Sequence, residues 1–108
     1  MNIRILWPKE EKVNQKYESM IIIDPKLPQE EAKAENEKFV EFMKSENGEL
    51  IETNFMGRRR LAFEIEKKTE GYYFVNYFNF ENQKINVIDR YYKLNENIFR
   101  HNILRIED

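Results

Sequence analysis

The chain contains no cysteine, which excludes a disulfide framework, a thiolate metal centre and a cysteine nucleophile. His101 is the single histidine, so imidazole clusters are absent and no metal site is expected. Three glycines and three prolines are too few for a repeat array or a low-complexity linker. The longest apolar run, Met20, Ile21, Ile22 and Ile23, is of strand size, far short of the roughly 20 residues that cross a bilayer, so no membrane role is expected. Charge of one sign is also lacking. Eighteen Lys and Arg stand against 20 Asp and Glu, for a net charge of -2, which excludes a polycation that coats nucleic acid by charge alone. The first 15 residues lack a secretory apolar core, and Glu10 and Glu11 are foreign to a transit peptide, so the expectation is a mature intracellular chain.

What is present suits one folded domain. The 108 residues are 41% hydrophobic and 14% aromatic, enough for one core and too little for two. Residues 1–16 read as an amino-terminal extension, polar apart from Ile3, Ile5, Leu6 and Trp7 and interrupted by Pro8. Either it frays, as chain ends do, or it docks through Trp7. The domain proper is expected over residues 17–108.

Residues 17–23, ended by Asp24 and Pro25, predict a first strand whose β-branched end is covered on both faces. Pro28, Glu30 and Glu31 suit a helix start, because the first amides lack partners and the helix dipole favours negative charge. The helix should run over residues 28–45, with Ala32, Phe39, Val40 and Met43 on one face and Asn47 and Gly48 as its stop. Residues 49–68 predict a long strand interrupted near Gly57, with Leu61, Phe63 and Ile65 alternating inward. A turn over residues 68–71 leads into the aromatic strand 72–80, completing a hairpin. Asn82 is a candidate cap for a second helix carrying Ile85, Ile88 and Tyr92, and residues 98–106 predict a last strand. Leu61, Phe63, Ile65, Phe39 and Ile88 are assigned to the core. The order βαββαβ is that of an α+β, ferredoxin-like split βαβ sandwich, a four-stranded antiparallel sheet with both helices on one face.

No constellation of nucleophile, base and ligand emerges, so no enzymatic activity, cofactor or small-molecule substrate is expected. Glu30 with Glu31 and Glu64 with Glu66 read as solvated faces, and His101 reads as a surface or packing residue. Charge is nevertheless uneven. Residues 1–56 hold 8 basic and 12 acidic side chains, residues 57–108 hold 10 and 8, and six of the seven arginines lie in the second half. Arg58, Arg59 and Arg60 follow Gly57 directly. Guanidinium forks match phosphate oxygens and stack on bases, so these three with Lys67 and Lys68 form a candidate RNA footprint, with Arg100 and Arg105 as second choices. Arg90 reads instead as a partner for an acid on its own helix. The competing reading of the arginine run is an edge-strand charge block that prevents aggregation. In the aromatic strand, Tyr72, Phe74, Phe78 and Phe80 share one parity and Tyr73, Val75 and Tyr77 the other. Helices cover one face only, so the other requires another molecule, unless the extension folds back over it. Tyr72, Tyr73, Tyr77 and Trp7 are the candidate protein-partner residues, with a packing role equally open for the three tyrosines.

Two resemblances bear on this pattern. Residues 71–77, Gly-Tyr-Tyr-Phe-Val-Asn-Tyr, partly resemble the third-strand octapeptide of RNA-recognition-motif domains, which implies an autonomous single-strand RNA reader; Glu70 and Tyr73 depart from that motif. A broader likeness covers residues 17–107. Tyr17 and Glu18 through Ile23 with Asp24 and Pro25, then Gly57, Arg58, Arg59, Arg60, Leu61, Ala62, Phe63, Glu64 and Ile65, carry its first half. Glu70, Gly71, Tyr72 and Tyr73, and the closing block from Leu94 through Ile98 to Arg100, carry the rest. In these the chain resembles the bacterial-type S-six (bS6) family of small-subunit ribosomal proteins. It departs from that family at Phe63, where tyrosine is preferred, and in its extension. The resemblance implies a ribonucleoprotein component that binds central-domain small-subunit rRNA together with small-subunit protein eighteen (bS18). Glu30, Glu31, Glu37 and Glu41 would then complement a basic assembly. The abundance of Asn, Lys and Ile is compatible with an AT-rich genome, in a bacterium or in a plastid or mitochondrial ribosome.

Overall fold

The computed structural model describes residues 12–107. Strand β1 (Asn14–Ile23) leads to helix α1 (Gln29–Ser45), then to the paired strands β2 (Glu49–Ile65) and β3 (Lys68–Glu81). A 3-10 turn (Asn82–Lys84) precedes α2 (Ile85–Leu94), and β4 (Ile98–Ile106) closes the fold. The strands form one antiparallel sheet in the order β2-β3-β1-β4, the expected ferredoxin-like arrangement. Strand β1 begins at Asn14, three residues earlier than the sequence suggests, since Asn14, Gln15 and Lys16 pair with Glu81, Phe80 and Asn79. Trp7 lies outside the described residues.

Helix α1 starts behind Pro28, which needs no backbone donor there, with Glu30 and Glu31 in its first turn. It stops as expected. Asn47 takes a left-handed backbone (φ 69), and the amides of Gly48 and Asn47 donate to the carbonyls of Met43 and Lys44, which satisfies groups the helix end would orphan. Asn82 does not cap α2 directly. The 3-10 turn intervenes, and the Asn82 side chain instead accepts from the Val13 amide, tying the start of β1 to the α2 entry.

One face of the sheet holds the core. Tyr72, Phe74, Phe78 and Phe80 of β3 and Tyr17, Ile21 and Ile23 of β1 pack under Ala32, Phe39 and Met43 of α1 and Ile88 and Tyr92 of α2. Phe39 sits at the centre, its ring 5.8 Å from Phe78 and 4.8 Å from Tyr92. Burial of such a side chain contributes roughly 1.5–3 kcal/mol. Two polar contacts inside this layer fix its register. Asn36 on α1 and Asn76 on β3 exchange reciprocal amide hydrogen bonds of 3.2 and 2.8 Å, and the Thr53 hydroxyl donates to Asn76 at 2.7 Å. Ser19 and the Tyr92 hydroxyl share a buried bond of 2.7 Å.

The hairpin departs from expectation in two respects. Its turn is Glu66 and Lys67, not residues 68–71: both residues have positive φ (49 and 67) and Ile65 pairs with Lys68. That is the geometry of a two-residue primed turn, which matches strand twist but normally recruits Asn or Gly, so its usual signal was missing. Phe63 is not a core residue. Between the pairs Arg60–Glu70 and Ile65–Lys68 the β2 strand bulges, the inward alternation breaks, and Phe63 is 65% exposed while Leu61 stays buried and Ile65 half-buried. Gly57 takes φ 89 at an earlier shift in register, a conformation that side chains resist.

The buried amide pair yields a stability test. Asn76→Ala leaves the Asn36 amide unsatisfied and is expected to lower the unfolding free energy by about 2 kcal/mol in urea titration. The double substitution Asn36→Leu with Asn76→Leu, similar in shape and leaving only the Thr53 hydroxyl, which water can reach, without its partner, should recover most of that loss.

Candidate nucleic-acid interface

Residues 58–68 carry five basic and two acidic side chains, a local charge of +3 in a chain whose total is -2. Strand alternation and the bulge distribute these cations, and hydrogen bonds then divide them. Arg58 lies on the helix side, opposite Tyr72. Its Nε donates to Glu70 at 2.5 Å, and its Nη1 donates to the Pro25 carbonyl and the Tyr72 hydroxyl, each at 3.1 Å. The bond to Arg58 holds the Glu70 carboxyl below its usual range, and the same bond raises Arg58. Lys68 stands 3.6 Å from Asp24 and 5.4 Å above the Phe99 ring. Both residues therefore fasten the hairpin to the segment between β1 and α1. They line a shallow hollow of about 340 Å³ with Lys26, Lys67, Asp24 and Glu70.

The remaining candidates face outward. Arg59 lies opposite Gly71 on the uncovered side of the sheet, with its Nε donating to the Met56 carbonyl at 2.8 Å. Arg60, opposite Glu70 and on the same side as Arg58, and Lys67 are both exposed, and the charge of Arg60 adds to that of Arg58 in holding the Glu70 carboxyl down. Arg100, opposite Ile22 on β4, is exposed on that same uncovered side. Arg105 is not part of this group. It pairs with Tyr17 at the far end of β1, about 20 Å away along the strand, and its guanidinium binds Glu107.

The uncovered face is built in cross-strand rows. At the hairpin end, Arg100, Ile22, Tyr73 and Gly57 align across the four strands. Next come Asn102, Met20, Val75 and Asn54, and then Leu104, Glu18, Tyr77 and Glu52. Tyr73, Val75, Tyr77 and Met20 are half-buried, and Leu104 is 51% exposed. Ile22 is 3% exposed even here. Gly71 explains this: a Cβ on it would stand 2.5 Å from Ile22 and 3.1 Å from the Phe99 ring, so Ile22 and Phe99 close over the missing side chain. Glu18 and Glu52 both flank Tyr77, a pairing that required the strand register and was not legible from spacing. Tyr72 belongs to the other face. It is 4% exposed, and its hydroxyl donates to the Leu27 carbonyl at 2.8 Å, so it is a core residue. Phe74, at 2% exposure, is buried with it. An RNA-recognition-motif reader needs such rings exposed, and that reading loses its stacking platform.

On the helix side, a groove of about 470 Å³ between α1 and α2 is lined by Phe42, Val87, Tyr91 and Leu94, with Arg90 its charged member. Arg90 does not pair along its helix. Asp89 accepts from His101 at 2.7 Å and pairs with Lys93 at 2.9 Å. His101, with its ring 5.2 Å from Tyr92, is thus a packing residue between β4 and α2. Among the described residues no group of His, Asp and Glu is placed to hold a metal ion, and no helix is long and apolar enough to cross a membrane.

Comparison with known proteins accounts for this architecture. The family model described as ribosomal protein S6 matches residues 16–105. The chain belongs to the ribosomal protein S6 family. Small ribosomal subunit protein bS6 of Helicobacter acinonychis and its counterpart in Helicobacter pylori strain G27 are each 40% identical over 92 residues, covering 84% of this chain. The chain spans 64% of the length of these curated relatives. The crystal structure of 30S ribosomal protein S6 from Thermotoga maritima superposes with a TM-score of 0.82 at 32% identity, over 87% of this chain and 89% of that one. The S6 match spans all but the first two residues of β1 and runs to Arg105 in β4, so it includes the hairpin and the whole uncovered face.

The Asp89 contacts set a pH dependence. Hydrogen bonds from His101 and then Lys93 hold its carboxyl below the usual range. A depressed carboxyl stabilises the fold fully above its unfolded value near 4 and loses that contribution as pH falls through the folded value. Asp89→Asn is therefore expected to melt earlier than the parent at pH 7, by less than about 1 kcal/mol because the site is partly solvated. The gap should narrow as pH falls below about 4 in thermal melts; a gap unchanged at low pH shows that packing, not charge, sets it.

Proposed function

We propose that the chain is a structural component of the small ribosomal subunit, binding central-domain rRNA together with small-subunit protein eighteen. Its bacterial relatives favour a bacterial cytoplasmic ribosome over a plastid or mitochondrial one. The observation that carries this reading is the uncovered sheet face, with Ile22, Met20, Val75 and the half-buried Tyr73 and Tyr77 along its centre, arginines at the hairpin end, and Glu18 and Glu52 toward the other. An apolar surface of this kind beside a basic hairpin suits a site shared by a protein and a nucleic acid. The hairpin end, with Arg59, Arg60, Lys67 and Arg100, takes phosphates; Arg58 and Lys68 support it from beneath. The far end, with Tyr77 flanked by Glu18 and Glu52, takes a basic protein partner, which Tyr73 meets from the hairpin-end row.

This reading relocates the acidic complement. Glu30, Glu31, Glu37 and Glu41 lie on α1, exposed on the helix layer and away from the uncovered face. If the partner sits on the sheet, Glu18 and Glu52 carry the attraction and the helix acids do not.

The two arrangements are separable by measuring association of the full chain with protein eighteen and folded central-domain rRNA. Glu18→Lys with Glu52→Lys is expected to weaken protein pairing at least about tenfold, since close charge pairs across interfaces couple by about 1.5 kcal/mol or more. Glu37→Lys with Glu41→Lys should leave it unchanged. Raising salt should weaken the assembly. A complex indifferent to salt and to both charge reversals would overturn the electrostatic part, and failure of the tagged full chain to sediment with small subunits would overturn the whole.

A further inference from the structure

The bulge in β2 sets Leu61, Ala62, Phe63 and Glu64 against Thr69 alone. Four residues opposite one cannot stay in the ladder, and bulges of this kind re-aim side chains. Leu61 stays buried and Phe63 turns out, which makes Phe63 the most exposed aromatic ring among the described residues. A lone exposed apolar side chain needs no explanation, but its setting does. Phe63 stands three residues after Arg60 and four before Lys67; with Arg59 these are the hairpin cations that form no salt bridge among the described residues, although Arg60 faces Glu70 across the strands, while Arg58 and Lys68 are already committed to Glu70 and Asp24. Lys67 is held at this spot by a tight turn of two residues, Glu66 and Lys67, both in the left-handed region that side chains resist. Backbone strain of this kind concentrates at binding sites, where surrounding structure keeps it in place.

We propose that Phe63 is a base-stacking residue: an unpaired base of the small-subunit rRNA lies on its exposed ring while Arg60 and Lys67 hold the phosphates on either side. The proposal rests on the rRNA-binding reading above and specifies one contact within it. Unpaired RNA bases offer bare π faces, and stacking on an aromatic side chain needs no apolar pocket. Charge favours RNA over a protein partner here. A protein surface sealing Phe63 would have to desolvate the +3 of residues 58–68, which Glu70 and Asp24 offset only in part, whereas phosphates neutralise it.

The test measures affinity of the full chain, with protein eighteen, for a folded central-domain fragment of small-subunit rRNA. Phe63→Ala is expected to weaken binding by about 5- to 150-fold, the range found for loss of one stacked base. Phe63→Trp should restore it, and Phe63→Leu, apolar but without a π face, should not. Arg60→Gln with Lys67→Gln should lower the slope of log affinity against log salt by about 1.4 to 1.8, the value for two phosphates, while Phe63→Ala leaves that slope unchanged. Circular dichroism melts check that each variant folds. If Phe63→Ala binds like the parent while the double cation variant is weakened, stacking is wrong and the rRNA reading stands. If Phe63→Leu binds like the parent, Phe63 packs against an apolar surface and the proposal falls. If the unaltered chain does not bind the fragment at all, the rRNA reading fails and this contact with it.

Discussion

The two-residue period of β3 governs this molecule. Because successive side chains leave opposite faces of a strand, Tyr72, Phe74, Asn76, Phe78 and Phe80 must share one side and Tyr73, Val75 and Tyr77 the other. Phe39 and Met43 from α1 and Ile88 and Tyr92 from α2 complete the first side, and Phe39 joins both helices to the sheet through Phe78 and Tyr92. The second side receives no helix. Its half-buried tyrosines are a consequence of the same period and take nothing from the core.

Polar groups inside the core serve alignment. The reciprocal Asn36–Asn76 amides permit α1 only one position along β3, because a shift would orphan buried donors and acceptors. Ser19 does the same for Tyr92, whose phenol burial pushes well above its usual value and so keeps protonated. With the helices held, the segment between β1 and α1 is held too, and it supplies the Pro25 and Leu27 carbonyls that receive Arg58 and Tyr72. Core order is thereby carried out to the hairpin.

Electrostatics then differentiates side chains that look alike in sequence. A net charge of -2 conceals a run of +3 over residues 58–68. Within that run, Arg58 and Lys68 pair with Glu70 and Asp24 and act as fasteners, while Arg59, Arg60 and Lys67 are exposed and form no salt bridge among the described residues.

The order of elements, the one-sided helix layer, the α1 stop at Asn47 and Gly48, and the core positions Phe39, Leu61 and Ile88 were all legible in the sequence. Each is a local property, set by a period of 3.6 or 2 or by the conformational limits of a few adjacent residues. The uncovered aromatic face and the basic run followed from the same periods. Pairing across strands decided the rest. The register placed Glu18 and Glu52 beside Tyr77, gave Arg58 to Glu70, and put Tyr72 rather than Phe63 in the core. A bulge shifts every later residue on its strand, and a primed turn built from Glu66 and Lys67 carries no compositional mark. The chain thus encodes which faces exist through neighbours in sequence, while the role of each hairpin side chain was settled only by residues brought opposite it from another strand.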